Sequence, residues 1–433
     1  MNAARPAGGA PPIRVPQDVI DELLARVDLL DLVCESIRVH SDAQIHRAAC
    51  PFHTGPGDPM SLDIDADTNR LRCKVCEFQG SAIGWLMYHD GLTFQDAILE
   101  LARRTTIDVG PWIDASRSVH ARRLSLALLD QVDQVYVDAL AAHPAPAAYL
   151  ARRGISPGTA ARYRIGYAPP SIGVFDGALV RHHRRLWQQG LLIRKTDGEY
   201  RPRFSDRLTF PIRTDVGETI GFGARTLRDG TGVKYLNSPG SPLFSKRHAV
   251  YGLHEALQSW SDPSDTPFLL VEGYLDVLAL AEHGFPRAVA TLGTAVSEHQ
   301  VRQISRHTNT LIACFDGDAG GDRAQARLIE IALPLLDDHQ HITIARLPAG
   351  EDPASLLLAS GRQPMMRVLD QARPIEEVLL AQLGTGLDLD AISGKAALAA
   401  RARPVLKTVR SHALSARLIA RLEHVIGLSW SED

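Results

Sequence analysis

The chain has 433 residues, which is too long for one average domain and predicts about two to four. Its hydrophobic content of 45% supports ordinary buried cores, and no apolar run reaches the roughly eighteen residues that a membrane-spanning helix needs. Five cysteines exclude a disulfide framework and favour a reducing compartment, so we expect a cytoplasmic protein with no membrane partner. The net charge of −3 does not by itself indicate a nucleic-acid-binding protein.

The first residues of the chain predict a tail followed by a helix. Residues 1–15 are rich in Pro, Gly and Ala and lack the apolar core of a signal peptide, so they predict a flexible tail. The segment 16–36 (PQDVIDELLARVDLLDLVCES) predicts the first helix of a module that we expect to end near residue 110.

Two pairs of metal-ligating residues lie within this module. Cys50 and His53 form the first pair, and Cys73 and Cys76 form the second pair after a gap of nineteen residues. Two close ligand pairs on separate turns can meet in a closed tetrahedral site, which is the structural form of zinc binding. The spacing therefore predicts one structural Zn²⁺.

The residues between the two pairs predict a β-hairpin. The segment 61–73 alternates between apolar and polar residues, and Asp67-Thr68-Asn69 supplies its turn. The two remaining cysteines, Cys34 and Cys314, lie in apolar helix-like and strand-like contexts, so we expect them to be buried hydrophobic residues rather than ligands.

A basic segment follows a linker that we predict at 108–118 from its Gly, Pro and Ser residues. Residues 149–250 contain eighteen Arg and Lys against seven Asp and Glu, a local net charge of +11. A basic surface of this kind is what contacts with phosphates need, although scattered solvated arginines would give the same count. LTFPI (208–212) and TIGFGA (219–224) predict two strands joined by a turn at 215–217, and KYLNSP (234–239) predicts a loop. SDPSDTP (261–267) predicts the end of this segment.

Two short acidic stretches then carry the most informative pattern. LLVEGYLDV at 269–277 and LIACFDGDAGGD at 311–322 are apolar runs that break abruptly into carboxylates. These carboxylates are Glu272, Asp276, Asp316 and Asp318. Such runs predict buried parallel strands, and ligands bind at the carboxyl ends of these strands in open α/β sheets. Oxygen ligands there suit Mg²⁺ together with substrate phosphates, so the pattern predicts phosphoryl or nucleotidyl transfer. The alternative interpretation is that the carboxylates are helix N-caps.

The rest of the chain extends the same unit. AVATLGTAVSEHQ (288–300) predicts a strand, a loop of small residues at 293–295 and the start of a helix. HITIARL (341–347) predicts a further strand, which Asp352 follows. Periodic Leu- and Ala-rich segments after residue 366 predict a helical region.

These motifs together resemble a known family. The strand ends at 272–276 and 315–322 resemble the TOPRIM domain in the form found in bacterial DnaG-type primases, and residues 50–107 resemble the CHC2 zinc ribbon of the same enzymes. Residues 149–156, 201–225 and 233–253 resemble the N-terminal half of the primase catalytic core. The resemblance implies a multidomain fold that mixes α+β and α/β parts: a zinc ribbon at 16–110, a basic α+β subdomain at 119–262, a Rossmann-like TOPRIM domain at 266–350 and a helical cap at 366–433.

The resemblance also implies an activity and its residues. The family makes short RNA primers on single-stranded DNA from nucleoside triphosphates, with Mg²⁺ or Mn²⁺ at the acidic site. Glu272, Asp316 and Asp318 match the metal-binding acids, and Asp276 and Asp352 match supporting ones. The family has a further aspartate where this chain has Ala354, which implies altered metal occupancy. The matching template and nucleotide contacts are Arg203, Arg207, Arg225, Lys234 and Lys246.

Two other functions and one partner stay open at this stage. A TOPRIM nuclease or topoisomerase-like enzyme would share the acidic site, and a non-catalytic single-stranded-DNA-binding protein would explain Ala354. DnaG-type primases usually continue into a C-terminal domain that grips the replicative helicase. We expect that domain to be absent from this chain, which leaves a helicase partner in doubt.

Overall fold

The computed structural model describes residues 15–430 except for 38, 43–44, 53–59, 91, 111, 113–114, 171–174, 176–178, 180–181, 196–198, 228–232, 260–266 and 294–295. The predicted tail therefore lies outside the described residues except for its last one. The chain divides into two compact units, and the first contains Met1–Ala127, Gln188–Gly190 and Pro239–Ser245. In the part of the chain that the structure describes, every helix is too short or too polar to traverse a bilayer.

The described residues of the first unit form a five-stranded antiparallel sheet with four complete helices. Its strands are β1 (Val39–Asp42), β2 (Ile45–Ala48), β3 (Leu62–Asp65), β4 (Arg70–Cys73) and β5 (Gln79–Gly80), in that order across the sheet. Its helices are α1 (Gln17–Arg26), α2 (Leu29–Cys34), α3 (Ala82–Tyr88) and α4 (Phe94–Thr105). A core that includes Leu23, Leu62 and Trp85 packs the helices against the sheet.

The predicted hairpin is confirmed, because β3 and β4 pair in antiparallel fashion across the turn at 66–69. Asn69 closes the turn with a φ of 51°, in the left-handed region that Asn tolerates better than most residues. Its side-chain amide also donates to the carbonyl oxygens of Leu24 and Val27 at 3.0 and 3.1 Å. The hairpin turn therefore holds the end of α1.

The single helix expected at 16–36 is two helices in the structure, so that prediction was wrong. Val27 is extended, and Asp28 then caps α2 by accepting from the backbone N–H groups of Leu30 and Asp31 at 2.8 and 3.1 Å. An aspartate that satisfies these otherwise unpaired N–H groups favours a new helix start over a continuous helix. Cys34 at the end of α2 is exposed, which contradicts its expected burial, whereas Cys314 is buried as expected.

The second unit contains Leu128–Trp187, Leu191–Ser238 and Lys246–Asp433. Its first part holds the antiparallel sheet β11-β10-β9-β6, made of β6 (Gly166–Ala168), β9 (Arg207–Arg213), β10 (Thr219–Thr226) and β11 (Tyr235–Asn237), and a ribbon of β7 (Leu192–Arg194) and β8 (Tyr200–Pro202). The helices along this part of the chain are α5 (Ala115–Ala142), α6 (Pro144–Arg152), α7 (Pro157–Arg162), α8 (His183–Gln188) and α9 (Leu253–Gln258).

Two local predictions in this region were wrong. The segment 234–239 was expected to be a loop, but its residues Tyr235–Asn237 form β11 and pair with the edge of β10. Three residues followed by Ser-Pro form too short a pattern to predict a strand. They form a strand here because β10 supplies the hydrogen-bonding partner. The linker expected at 108–118 ends earlier, because α5 begins at Ala115.

The rest of the second unit is an α/β sheet with a helical end. The strand order is β13-β12-β14-β15-β16, made of β12 (Phe268–Val271), β13 (Ala288–Ala290), β14 (Thr310–Phe315), β15 (His341–Arg346) and β16 (Arg373–Pro374). All of these pairings are parallel except the last. The helices are α10 (Tyr274–Glu282), α11 (Glu298–Ser305), α12 (Ala319–Ala332), α13 (Pro353–Ser360), α14 (Arg362–Asp370), α15 (Ile375–Leu383), α16 (Ile392–Leu406) and α17 (His412–Ile426).

The predicted fold class is confirmed, since the chain combines a small antiparallel zinc-ribbon-like sheet, an α+β part, a parallel α/β sheet and a helical end. The domain boundaries stay predictions. The boundary expected near 262 falls in 260–266, outside the described residues, and the segments on either side of it belong to the same compact unit.

One aromatic residue joins the two sheets of the second unit. Tyr274, the first residue of α10, stacks on Phe210 of β9 with ring centroids 4.8 Å apart and an interplanar angle of 16°. Gly223 of β10 makes room for it, because a Cβ atom there would lie 2.2 Å from Tyr274 Cζ. The residue that follows the first acidic strand end is therefore fixed against the basic α+β part.

Candidate active site and zinc centre

Glu272 and Asp316 lie side by side at the edge of the parallel sheet that is formed by the carboxyl ends of its strands. They follow β12 and β14, which are neighbours in parallel register, so the two strands end at the same level. The backbone N–H of Asp316 donates to Glu272 Oε1 at 3.2 Å. The structure therefore brings together the first carboxylates of the two acidic stretches, as the strand pattern predicts.

The other three predicted acids stabilise helix starts. Asp318 caps α12 and accepts from the N–H groups of Gly320 and Gly321 at 2.6 and 2.9 Å. Asp352 caps α13 by accepting from the N–H of Ser355 at 2.6 Å. The alternative interpretation, that the carboxylates cap helices, is therefore correct for Asp318. In Asp318 and in Asp352 the cap uses one carboxylate oxygen and leaves the other available.

Asp276 is the most buried acid of the group, with 8% of its surface exposed. Its Oδ2 accepts from the N–H of Gly273 at 3.0 Å, and its Oδ1 accepts from the N–H of Ala354 at 3.3 Å. Ala354 thus contributes a backbone donor at the position where the resemblance implied another carboxylate. Burial first, and the charges of Asp352 and Asp316 next, raise the pKa of Asp276 to about 8.

Crowding of like charges also perturbs the two strand-end acids. Burial raises the pKa of Asp316 to about 7, and Glu272, Asp352 and Asp318 add to that rise while Lys234 opposes it. Burial and the Asp318 carboxylate raise the pKa of Glu272 as well. Carboxylates that repel one another in a half-buried site are stabilised by a bound cation.

A divalent metal ion fits these residues on two further grounds. Asp316 Oδ1 is buried and has no hydrogen-bond partner among the described residues, so it can accept a cation or a donor. In the described part of the chain, however, no three acidic side chains bring their oxygens within 4.8 Å of one another. This spacing suits Mg²⁺, which binds through one or two carboxylates and takes its remaining ligands from water and substrate phosphates.

One glycine allows the loop after β15 to approach the acids, and a second allows the first turn of α12 to pack against the Asp316 backbone. A Cβ atom on Gly317 would lie 2.1 Å from the carbonyl oxygen of Pro348, and one on Gly321 would lie 1.9 Å from that of Asp316. Gly317 instead donates its N–H to the carbonyl oxygen of Glu351 at 2.8 Å. This close packing of backbones places Asp352 at the same edge of the sheet as Asp316.

The acids line a cleft of about 370 Å³ that is also lined by cations. Glu272, Asp276, Asp316 and Asp352 line it together with Arg153, Arg225, Lys234 and Tyr235. Leu292 and Gly293 close another part of the cleft, and the predicted small-residue loop continues into 294–295, outside the described residues. Cations and acids that line one cleft can bind an anionic ligand together with its metal ion.

The predicted basic residues divide into three groups in the structure. Arg225 and Lys234 line the cleft. Arg207 instead donates to the backbone carbonyl oxygens of Val233 and Lys234 at 2.9 and 3.3 Å, so it supports the segment that carries Lys234.

The third group, Arg203 and Lys246, lies outside the lining of that cleft. Burial lowers the pKa of Lys246, and the positive charge of Arg203 lowers it further, which indicates that these two cations lie near each other. No ion pair with an acid is found for either of them among the described residues. They therefore form a second cationic patch.

Three cleft residues were not among the residues singled out from the sequence. Arg153 lies in the segment 149–156, which carried the family resemblance. Tyr235 belongs to the segment that was expected to be a loop. Tyr274 follows Glu272 directly, and its hydroxyl donates to Asn237 Oδ1 at 2.6 Å.

The first unit brings three of the four predicted zinc ligands together. The sulfur atoms of Cys50, Cys73 and Cys76 all lie within 4.8 Å of one another, and those of Cys50 and Cys76 are 3.8 Å apart. The N–H groups of Val75 and Cys76 point at the Cys73 sulfur, at 3.3 and 3.4 Å. The fourth predicted ligand, His53, lies outside the described residues.

The donor set fits a zinc ion. Burial acts to raise the pKa of Cys73, but the two N–H groups and the neighbouring thiols outweigh it and lower that pKa to about 6. A thiolate held ready by backbone donors is the form that binds zinc.

Models of four protein families match the chain. They are "CHC2 zinc finger" at 15–115, "DNA primase catalytic core, N-terminal domain" at 135–257, "Toprim-like" at 269–357 and "DnaB-helicase binding domain of primase" at 377–429. The first match supports zinc, and the third supports use of a divalent metal ion.

The last of these matches corrects one prediction. The helicase-binding domain was expected to be absent, but its model matches 377–429, a range that covers most of α15 to α17. The periodic helices of this region were interpreted only as a cap. Amphipathic helices that pack on one face leave the other face for a partner, and periodicity alone does not reveal that second use.

Among curated proteins, the chain is 37% identical over 432 residues to the DNA primase of Pseudomonas aeruginosa, covering 96% of this chain and 64% of that protein. It is 34% identical over 429 residues to the DNA primase of Escherichia coli K12, covering 96% of this chain and 72% of that protein.

Among solved structures, it is similar to a DnaG primase catalytic domain bound to single-stranded DNA, with a TM-score of 0.65, 35% identity, and coverage of 71% of this chain and 99% of that one. It is also similar to the zinc-binding and RNA polymerase domains of the Aquifex aeolicus primase, with a TM-score of 0.61, 26% identity, and coverage of 95% and 97%.

Loss of one sulfur ligand is expected to release zinc and unfold only the zinc module. We expect purified wild-type protein to contain one zinc ion per chain and Cys73→Ser to contain almost none, with hydrogen exchange accelerated across 45–107, because a bound metal supplies much of the folding free energy of so small a module. Cys34→Ser is the matched control, since that exposed cysteine lies outside the sulfur group. Carefully purified wild-type protein without zinc would contradict the assignment.

Removal of one crowded acid is expected to change how stability depends on pH. The pKa of Asp316 rises from an ordinary 3.8 to about 7 on folding, so the folded protein keeps a proton that the unfolded chain has lost. The free energy of unfolding must therefore decrease as pH rises from 3.8 to about 7 and stay lower above that range. In EDTA, we expect the free energy of unfolding to decrease more steeply from pH 5 to pH 7 in wild-type protein than in Asp316→Asn, and Mg²⁺ at pH 8 to stabilise the wild type more. Parallel curves for the two proteins would refute this account of the site.

Proposed function

The chain belongs to the family of bacterial DNA primases of the DnaG type, and we propose that it synthesises short RNA primers on a single-stranded DNA template by metal-dependent nucleotidyl transfer. The observation that carries this proposal is the cleft that is lined both by the strand-end carboxylates and by cations without an acidic partner among the described residues. A metal ion and a triphosphate can be held together there, and nucleotidyl transfer needs both. The chain spans 64% of the Pseudomonas aeruginosa relative, so the activity of the whole relative is carried over as a proposal.

Glu272 and Asp316 are the principal metal-binding residues in this proposal, and the free oxygen of Asp318 supports them. The divalent ion, Mg²⁺ or Mn²⁺, supplies charge that activates the attacking 3′-hydroxyl and stabilises the developing charge on the phosphates. Asp276 and Asp352 act at the rim. Asp276 is held by two backbone N–H groups, so it keeps α10 and α13 together beside the strand-end pair.

The cations have two tasks in this proposal. Arg225 and Lys234, together with Arg153, bind the oxygens of the incoming triphosphate opposite the acids. Lys234 already reduces the pKa rise of Asp316, so its charge acts on the acidic side of the cleft. Arg203 and Lys246 guide the template outside the cleft, where cations without acidic partners suit a phosphate backbone.

Two further modules have supporting tasks. The zinc module would prefer particular start sites on the template through exposed residues of its hairpin, namely Arg70, Arg72 and Lys74. The match to a DnaB-helicase binding domain at 377–429 supports a replicative helicase of the DnaB type as a partner of α15 to α17.

One assay tests the function against its rivals. Purified protein is incubated with single-stranded DNA, labelled nucleoside triphosphates and Mg²⁺ or Mn²⁺. Short labelled RNA products support a primase. Shortened DNA would instead mean a TOPRIM nuclease, and a mobility shift without products would mean a non-catalytic single-stranded-DNA-binding protein.

Neutralising one strand-end acid is expected to stop synthesis while DNA binding survives. Asp316→Asn and Glu272→Gln keep the shape of the site but remove charge that holds the metal ion, so we expect primer yield to fall by about a hundredfold or more. Binding of single-stranded DNA should stay within about twofold, because the template contacts are cationic. Asp370→Asn is the matched control, an exposed carboxylate on α14 that does not line the cleft. A normal primer yield from Asp316→Asn would remove the catalytic assignment.

The second cationic patch is tested by the salt dependence of DNA binding. Replacing Arg203 and Lys246 together by Gln removes two proposed phosphate contacts, so the slope of log affinity against log salt should become less steep by about 1.4. Arg327→Gln is the control, since that arginine pairs with Glu330 on the surface of α12. An unchanged slope in the double variant would place the template path elsewhere.

A further inference from the structure

One buried aromatic ring contacts three arginines next to the cleft. Tyr149 of α6 is 8% exposed, and its ring centroid lies 5.8, 5.5 and 5.4 Å from the guanidinium carbons of Arg152, Arg153 and Arg225. These distances are within the range of cation–π attraction. The Tyr149 hydroxyl is buried and has no hydrogen-bond partner among the described residues, so this side chain contacts the arginines through its ring.

Two of these arginines are the ones that line the cleft, Arg153 and Arg225. Arg225 is only 5% exposed, and its guanidinium carbon also lies 5.1 Å from the ring centroid of Tyr235. It donates one hydrogen bond to the Tyr235 hydroxyl, while its Nε has no partner. In the part of the chain that the structure describes, neither cleft arginine has an acidic partner in an ion pair.

A guanidinium can be held by a carboxylate or by an aromatic face, and the two differ in what they leave free. A carboxylate occupies the N–H groups and neutralises the charge. An aromatic ring contacts the flat face of the guanidinium and leaves N–H groups in the guanidinium plane available for an anion. Arg153 and Arg225 are therefore oriented while their charge stays available to a ligand in the cleft.

We propose that Tyr149 is a positioning residue for the triphosphate of the incoming nucleotide, acting through Arg153 and Arg225. This inference rests on the proposed function, because it assigns a nucleoside triphosphate to the cleft. The ring orients the two arginines before the nucleotide arrives, so less side-chain freedom is lost on binding. Tyr149 itself touches neither the acids nor the reacting atoms and is not a catalytic residue.

The experiment compares Tyr149→Leu, which removes the ring, with Tyr149→Phe, which keeps it. We expect Tyr149→Leu to raise the KM for nucleoside triphosphates by about tenfold with little change in kcat, since two cation–π contacts are lost. Tyr149→Phe should match the wild type, because the missing hydroxyl had no partner. The affinity for single-stranded DNA should be the same in all three proteins.

Tyr163→Leu is the matched control for loss of a buried ring. Tyr163 is fully buried in the same unit, its hydroxyl also lacks a partner, and its ring lies 5.6 Å from Arg162. Arg162 does not line the cleft and donates to the carbonyl oxygen of Glu255 at 2.9 Å. Tyr163→Leu should lower the melting temperature without a selective rise in the KM for nucleotides.

Binding of ATP with Mg²⁺, measured at equilibrium without a template, separates this inference from the proposed function. Absence of primer synthesis by wild-type protein would refute the proposed function, whereas weaker ATP binding by Tyr149→Leu than by Tyr149→Phe would still support the positioning of the arginines. Equal ATP affinity of these two variants, or a KM rise in Tyr163→Leu as large as that in Tyr149→Leu, would overturn the inference.

Discussion

Repulsion among carboxylates gathered at one edge of the parallel sheet is the constraint on which the rest of this site depends. Half-buried like charges are unfavourable unless donors or cations stabilise them. Helix N-termini provide part of that stabilisation: Asp276, Asp318 and Asp352 accept N–H groups at the starts of α10, α12 and α13. Glu272 and Asp316 keep free oxygens, and burial first, followed by the charges of Glu272, Asp352 and Asp318, raises the pKa of Asp316. A metal ion and the cations that line the same cleft can stabilise these charges further.

The position of those cations follows from how the two sheets of the second unit are joined. Tyr274 comes two residues after Glu272, and its ring packs on Phe210 of the antiparallel sheet over the space left by Gly223. Because the same antiparallel sheet carries Arg225 on β10 and is extended by β11 next to Lys234, the aromatic contact that anchors the acids also brings these cations into the same cleft. The arginines are then held by aromatic faces and not by acids, which keeps their charge available.

The zinc module is stabilised in a different way from the acidic site. Its three cysteine sulfurs converge within a unit that has its own core, and its hairpin turn is held by the Asn69 amide. Metal binding and core packing in the zinc module involve residues of the first unit. The stability of the zinc module and that of the acidic site can therefore be perturbed separately. The match to a helicase-binding domain over the last helices adds a third region with a task of its own.

Much of this protein was determined by local sequence pattern. The ligand spacing of the cysteines, the alternation of the hairpin and the abrupt change from apolar residues to carboxylates at 272 and 316 each depend on a few consecutive residues. The sequence alone therefore predicted the sulfur group and the acidic edge, and the family resemblance that these motifs carry implied the fold class. Only the tertiary structure decided which acids cap helices, that Tyr235–Asn237 is a strand, and that Arg153 shares a cleft with Arg225 while Arg203 does not. These features depend on partners that are far apart along the chain, and their distances are set by sheet pairing and by packing of side chains, which no short stretch of sequence contains.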